Sequence, residues 1–340
     1  MAPRTLASRN TVTGPAQHRS RRRHSFLPLA LLLAIILPVY LYARLYLLPS
    51  SSPSSSSIST FESSGGSRYD LKDLTDAAHS ERGPGYDKPL QALLVTAHPD
   101  DEVMFFSPTI LALVSQGWEV SGLCLSSGNS SGLGDIRTKE LVRSYKALGV
   151  APNHVIVIEA REFEDSMTAQ WDPELIAASI ASHGGLYDDL SEYRVDLIIT
   201  FDDKGISNHP NHIALSRAIA YLPTPDPPRI IQLRSPATLP KFTGPLYAIY
   251  LYLKDELDIL LTRMLSSVGT STRTDSSSTT TTTPEGQQEP NTHIVVSSPA
   301  QWLQSVQAMM YHKSQLVWFR WLYLAFSRLM WINELVEVRQ

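Results

Sequence analysis

From Leu90 onward the chain alternates short apolar runs with longer amphipathic ones. Residues 93–97 (LLVTA) are almost wholly apolar, the pattern of a strand buried on both faces. Residues 103–116 then predict a helix stopped by Gly117, and residues 120–125 a second strand. A Ser/Gly/Asn loop over 126–135 leads into a helix at 136–148, closed by Gly149. A third strand follows at 155–158 and a helix at 173–182, with Asp172 as its N-cap. A fourth strand at 195–201 leads through a polar loop to a helix at about 209–221. Further strands are expected at 229–233 and 246–250. Strands alternating with helices predict an α/β domain, a Rossmann-like, mainly parallel sheet with helices on both faces.

The flanks break this rhythm. Residues 1–25 are polar and basic, ending in Arg19, Arg21, Arg22 and Arg23, and are expected to be disordered. Residues 26–48 are apolar with Arg44 as the single charge, and as a helix they rise about 35 Å, enough to cross a bilayer core. No small-x-small cleavage site follows closely, so this stretch is expected to be one uncleaved N-terminal transmembrane helix rather than a signal peptide. Residues 49–87 are a Ser-rich linker, 88–268 the α/β domain, and 269–293 a disordered Thr/Ser-rich insertion. Residues 294–340 are an aromatic helical segment that completes the domain or lies on the membrane. Within it, 316–332 is strongly apolar but carries Arg320 and Arg328, which argues against a second span and for a buried or interfacial helix.

Composition adds limits. Of 340 residues, 43% are hydrophobic and 18% charged, enough for a sizeable core. The formal net charge of -4 gives no reason to expect nucleic acid as a partner. Protein partners are left unspecified. The one cysteine, Cys124, excludes an intramolecular disulfide and, lying in an apolar run, is expected to be a buried thiol.

The candidate chemistry sits after the strands. Ala97-His98-Pro99-Asp100-Asp101-Glu102 stands just past a strand's C-terminal end, where open parallel sheets bind ligands. His98 and Asp101 are ligand types for zinc, and a turn at Pro99 can bring both onto one ion while Asp100 points elsewhere and stays free. Taken alone, the acids could equally cap the next helix. Asn208-His209-Pro210-Asn211-His212 follows a second strand. Two strand ends can converge, offering His98, Asp101 and one of His209 or His212: three protein ligands and an open position, the catalytic zinc arrangement. The loop from Ser126 to Asp135, with Asn129 in it, leads into Arg137, which could pair with a phosphate or be a surface arginine.

AHPDDE, the loop running into GLGDIRTKEL, and TFDDKGISNHPNH resemble, in order and separation, the LmbE-like deacetylases. Within them the chain is most similar to the N-acetylglucosaminyl-phosphatidylinositol de-N-acetylases of GPI-anchor biosynthesis. The segment HKSQLVWFR at 312–320 and the N-terminal anchor resemble that eukaryotic branch. Asp203-Lys204-Gly205 departs from the pattern, where relatives often carry a Gly pair. The resemblance implies a mononuclear Zn2+ (or another divalent metal) on His98, Asp101 and His212. It implies Asp100 as general base, His209 as oxyanion stabiliser, and Arg137 as a residue associated with substrate phosphate; Asn129, in the loop before it, is also expected to bind substrate. It implies a glycolipid substrate and an endoplasmic reticulum membrane protein, single-pass, with its catalytic domain facing the cytosol. The arginines before the anchor favour the opposite orientation. The sequon at Asn129 disfavours it, since a glycan there would obstruct the loop. Other readings are a deacetylase of another N-acetyl sugar conjugate, a metal-dependent glycosyltransferase, which leaves the histidine motifs unexplained, and a non-catalytic metal-binding membrane scaffold.

Overall fold

The computed structural model describes residue 40 and residues 70–83, 88–187, 194–223, 228–268 and 291–338. The expected disordered N-terminus, the anchor at 26–48 apart from Tyr40, and the Thr/Ser insertion apart from its last residues lie outside the described residues. Among the described residues no helix is long and apolar enough to cross a membrane.

A seven-stranded sheet runs in the order β3-β2-β1-β4-β5-β7-β6. Its strands are β1 (Gln91–Thr96), β2 (Glu119–Cys124), β3 (Val155–Val157), β4 (Leu197–Phe201), β5 (Arg229–Leu233), β6 (Thr292–Val296) and β7 (Ile332–Val338). The first five are parallel, and β7 pairs antiparallel with both β5 and β6. The two central strands, β1 and β4, are buried along almost their whole length, as their unbroken apolar runs require. The chain leaves β1 toward β2 and β3 on one side and resumes at β4 and β5 on the other, so β1 and β4 flank a topological switch point.

The connecting helices are α1 (Lys72–Arg82), α2 (Asp101–Phe105), α3 (Ser107–Ser115), α4 (Gly134–Ala147), α5 (Pro173–His183), α6 (Pro210–Ala218), α7 (Pro245–Val268), α8 (Pro299–Met309) and α9 (Trp318–Phe326). Asp172 caps α5, its side chain accepting from Glu174 N at 2.9 Å.

Four expectations change. The helix at 103–116 is two helices. Pro108 lies in the first turn of the second, and a proline there lacks an N–H and disfavours helical backbone just before it, so the break falls at Phe106. Residues 246–250 are the start of the long helix α7, not a strand. Part of the tether at 49–87 is α1, whose Leu71, Leu74 and Ala78 flank are buried in the core. Finally, 316–332 is not one helix: α9 ends at Phe326 and β7 begins at Ile332. Asn333 fastens this strand to the site side of the fold. Its Oδ1 accepts from Thr109 Oγ1 at 2.7 Å and its Nδ2 donates to Phe105 O at 2.8 Å.

Candidate functional site

The turn after β1 carries the first cluster. Asp101 Oδ2 accepts from the backbone N–H groups of Ala97 (3.0 Å) and His98 (2.8 Å), folding the turn back on the strand. Its other oxygen, Oδ1, is left 3.3 Å from His212 Nε2. Burial pushes the Asp101 carboxyl up, but His212 and His98 beside it overcome this and hold it well below the usual carboxylate range. Asp101 is therefore an anion with one oxygen turned to His212 and away from the backbone, as a metal ligand must be.

His212 comes from α6, after β4. Its Nδ1 lies 3.2 Å from the carbonyl oxygen of Gly205, which can only accept, so Nδ1 carries a proton and Nε2 is the ring nitrogen turned toward Asp101. That buried Nε2 makes no hydrogen bond. Burial opposes protonation of His212, and the Asp101 carboxylate outweighs it, so the ring's affinity for a positive charge is raised. The ring stacks flat on Phe201, centroids 4.0 Å apart, which fixes its plane. Gly205 has to be glycine: its φ is +51°, and a Cβ there would stand 2.9 Å from His212 Cβ.

His98 Nε2 lies 3.2 Å from a carboxylate oxygen of Asp165 and 3.2 Å from the side-chain amide of Asn211. This leaves Nδ1 on the Asp101 side, 3.8 Å from Oδ2. A carboxylate behind the imidazole is the usual orienting partner of a metal-bound histidine. Asp165 was not foreseen in the sequence, although the acidic run Glu162, Glu164, Asp165 also follows a strand end.

The ring nitrogens of His98, His209 and His212 lie within 4.8 Å of one another, so these three alone form a group able to hold a metal. His209 differs from the other two. It is the N-cap of α6, and its Nδ1 accepts the Asn211 N–H at 3.3 Å, so its proton sits on Nε2. Burial first, then the neighbouring His212 and His98, lower its pKa to about 4. It is a neutral N–H donor unless it gives up its cap.

Asp100 turns away from His98 and Asp101, toward Arg320. Its φ of 100° puts a non-glycine residue in the left-handed region, a strained conformation that persists only when its surroundings fix it. They do. Arg320 Nη2 donates to Asp100 Oδ2 at 2.6 Å, and the Asp100 N–H donates to Glu102 Oε2 at 3.0 Å. Glu102 Oε1 in turn pairs with His312 Nε2 at 2.7 Å, with both side chains fully buried. Burial raises the Asp100 carboxyl pKa and Asp101 adds to the rise, with Arg320 opposing. Among the described residues the other two non-glycine positive-φ positions, Ile206 and Asn208, also lie in a site loop, the one that delivers His209.

The two residues read as substrate-binding are placed differently. Arg137 stands beside the turn, but its guanidinium already donates to Gly128 O (2.6 Å), Pro99 O (3.1 Å) and Gln315 Oε1 (2.6 Å) and pairs with Asp165. Asn129 is exposed, and its side-chain oxygen accepts from Gly134 N at 3.0 Å. Neither offers its polar end to the metal group. Arg137 braces the turn, and Asn129 shapes the loop. Cys124 is buried and its thiol pKa is pushed up, as an inert core residue requires.

Residues 93–222 match the family model PIG-L, described as GlcNAc-PI de-N-acetylase. The chain is 36% identical over 250 residues to an N-acetylglucosaminyl-phosphatidylinositol de-N-acetylase of Bos taurus, covering 72% of this chain and 82% of that one. It is 33% identical to a probable N-acetylglucosaminyl-phosphatidylinositol de-N-acetylase of Dictyostelium discoideum, covering 73% of this chain and 93% of that one. Among solved structures, a teicoplanin deacetylase crystallised in a zinc-inhibited form superposes with a TM-score of 0.44 at 14% identity, covering 74% of this chain and 98% of that chain.

Proposed function

The chain belongs to the PIG-L family of GlcNAc-PI de-N-acetylases, and from that premise we propose that it hydrolyses the acetamide of N-acetylglucosaminyl-phosphatidylinositol to glucosaminyl-phosphatidylinositol and acetate. The observation that carries this reading is the division of labour inside one turn: Asp101 Oδ1 faces the buried His212 Nε2 at 3.3 Å, while Asp100 is held apart by Arg320.

The donor set fits a divalent metal. His98, Asp101 and His212 would hold it, with zinc the best match to two imidazoles and a carboxylate. When bound, the metal supplies Lewis acidity, polarising the acyl oxygen and lowering the pKa of water at the site. The remaining work falls to the protein. Asp100 accepts a proton from water as its oxygen bonds to the acetamide carbon. The neutral His209 donates its Nε2–H to the developing oxyanion. The C–N bond then breaks, the proton held by Asp100 passes to the departing amine, and acetate leaves. Arg320 keeps the Asp100 carboxylate aimed while this happens.

The apolar run at 26–48 supports a single-pass anchor in the endoplasmic reticulum membrane. The Asn129 sequon supports a cytosolic catalytic domain, since a glycan would sit on the loop that Asn129 closes on Gly134. The test of function is acetate release from N-acetylglucosaminyl-phosphatidylinositol by the purified full chain, with and without chelator. Release that chelator abolishes and zinc restores is expected, and no release in any condition sinks the proposal. Protease protection in sealed microsomes tests the orientation: a protected catalytic domain would reverse it.

A further inference from the structure

Two helices expose apolar faces beside the site. On α7, Leu246, Tyr250, Leu253, Leu257, Leu260 and Met264 are each about half or more exposed, and their spacing of four and three residues puts them on one stripe. Lys254 and Asp258 lie off that stripe. On α9, Trp318 is 76% exposed, and Phe319, Trp321 and Leu322 are also open to solvent, while Leu324 faces the core. The helices are neighbours: a Cβ on Gly244, just before α7, would stand 3.1 Å from Ala325 O in α9. Arg328, just after α9, stacks 3.7 Å over the Tyr247 ring of α7.

This apolar surface and the segment before it reach the two site loops. Arg320, between Phe319 and Trp321, reaches Asp100. Lys241, between the exposed Leu239 and Phe242, donates to Ser207 Oγ at 2.6 Å in the loop leading to His209.

We propose that α7 and α9 form a second membrane contact, seated in the headgroup–acyl boundary of a bilayer around the mouth of the site. This rests on the reading of the substrate as a glycolipid. Its acyl chains must keep an apolar environment while the sugar reaches Asp100, and the helix that carries Arg320 supplies one at its outer face. Two exposed tryptophans with a tyrosine and leucines suit that boundary, where one end of a ring is apolar and the other wet. The tether at 49–71 spans at most about 80 Å, so an anchor at 26–48 would hold the domain within that reach of the bilayer.

The test uses the full chain in phosphatidylcholine vesicles, with nitroxide labels on Leu257→Cys, Trp318→Cys and, at the far end of α4, Lys146→Cys. The buried Cys124 stays unlabelled. At 257 and 318, collisions with oxygen should exceed those with a water-soluble nickel chelate, and at 146 the order should reverse. Equal nickel access at all three sites would overturn the proposal. So would spin–spin broadening between copies at 257 and 318, which marks a dimer interface. In a second arm, Trp318→Ser with Trp321→Ser and Leu322→Ser should raise KM for vesicle-borne glycolipid about tenfold or more. Turnover of a water-soluble N-acetylglucosaminyl-inositol phosphate should be unchanged, and an equal loss on both substrates would overturn the proposal. If the unaltered chain releases no acetate from either substrate, the deacetylase reading fails, while the label depths still decide the docking.

Discussion

The turn at Ala97–Glu102 and the segment from His312 to Arg320 meet at one carboxylate, yet they are built by opposite means. The turn assembles itself: the Asp101 side chain bonds to backbone three and four residues back, and the strand before it sets its place. The distant segment arrives from more than 200 residues away and contributes a chain of side-chain contacts. Gln315 accepts from Arg137, its amide also lies 2.9 Å from His312 Nδ1, His312 pairs with Glu102, Glu102 accepts from the Asp100 N–H, and Arg320 closes on the Asp100 carboxylate. Local geometry places His98 and Asp101, and remote geometry holds the base. Metal binding and catalysis should therefore separate by region when mutated.

The largest effect is expected at the ligands. His212→Ala should lose bound metal and lower acetate release by more than the roughly 10²–10³-fold that one oxyanion donor is worth. Metal analysis beside the activity assay checks it, and a variant that keeps both would break the assignment. Asp100→Asn should keep its metal while turnover falls roughly 10²–10⁴-fold, the range for a positioned proton acceptor. If metal is lost too, the two aspartates do not divide their work as described. Arg320→Met probes the remote region. It should keep metal and lower kcat by about 10–100-fold, as loss of an outer orienting partner does elsewhere, with little change in KM for a soluble substrate. Unchanged kcat would mean the turn holds Asp100 unaided.

The difference between the regions is also the difference in what could be read from the sequence. Both histidine clusters were visible because chemistry and strand ends coincide within a few residues. His98, Asp101, His209 and His212 do converge at the switch between β1 and β4. The support was not visible. Arg320 looked like a charge interrupting an apolar stretch, and nothing in its neighbours pointed to Asp100. Arg137 reads from sequence as either a phosphate partner or a surface arginine, and its guanidinium meets oxygens from four separate segments, which no local pattern encodes. Strand β7 was hidden because the apolar Leu329, Met330 and Trp331 run straight into it, and its partners β5 and β6 are remote in sequence. The split of α2 from α3 was legible in principle, since Pro108 lies inside the run.

The smallest effect concerns the buried pair that joins the regions, and its sign follows from linkage. Burial disfavours a charged His312, but Glu102 beside it outweighs burial and raises its pKa above the ordinary value of 6.5. A raised histidine pKa means the folded chain holds a proton that the unfolded chain releases, so the stabilisation is complete below about 6.5 and fades as pH climbs through the folded value. His312→Gln keeps a donor for Glu102 but no titrating charge. The gap in melting temperature between the unaltered chain and His312→Gln should therefore be wide near pH 6 and narrow by pH 9. Each kcal/mol that fades would move it by roughly 2–4 °C. A gap that is flat across this range would mean that His312 is neutral throughout. The pair would then join the two regions by a hydrogen bond alone, and the remote segment would support the turn by shape rather than by charge.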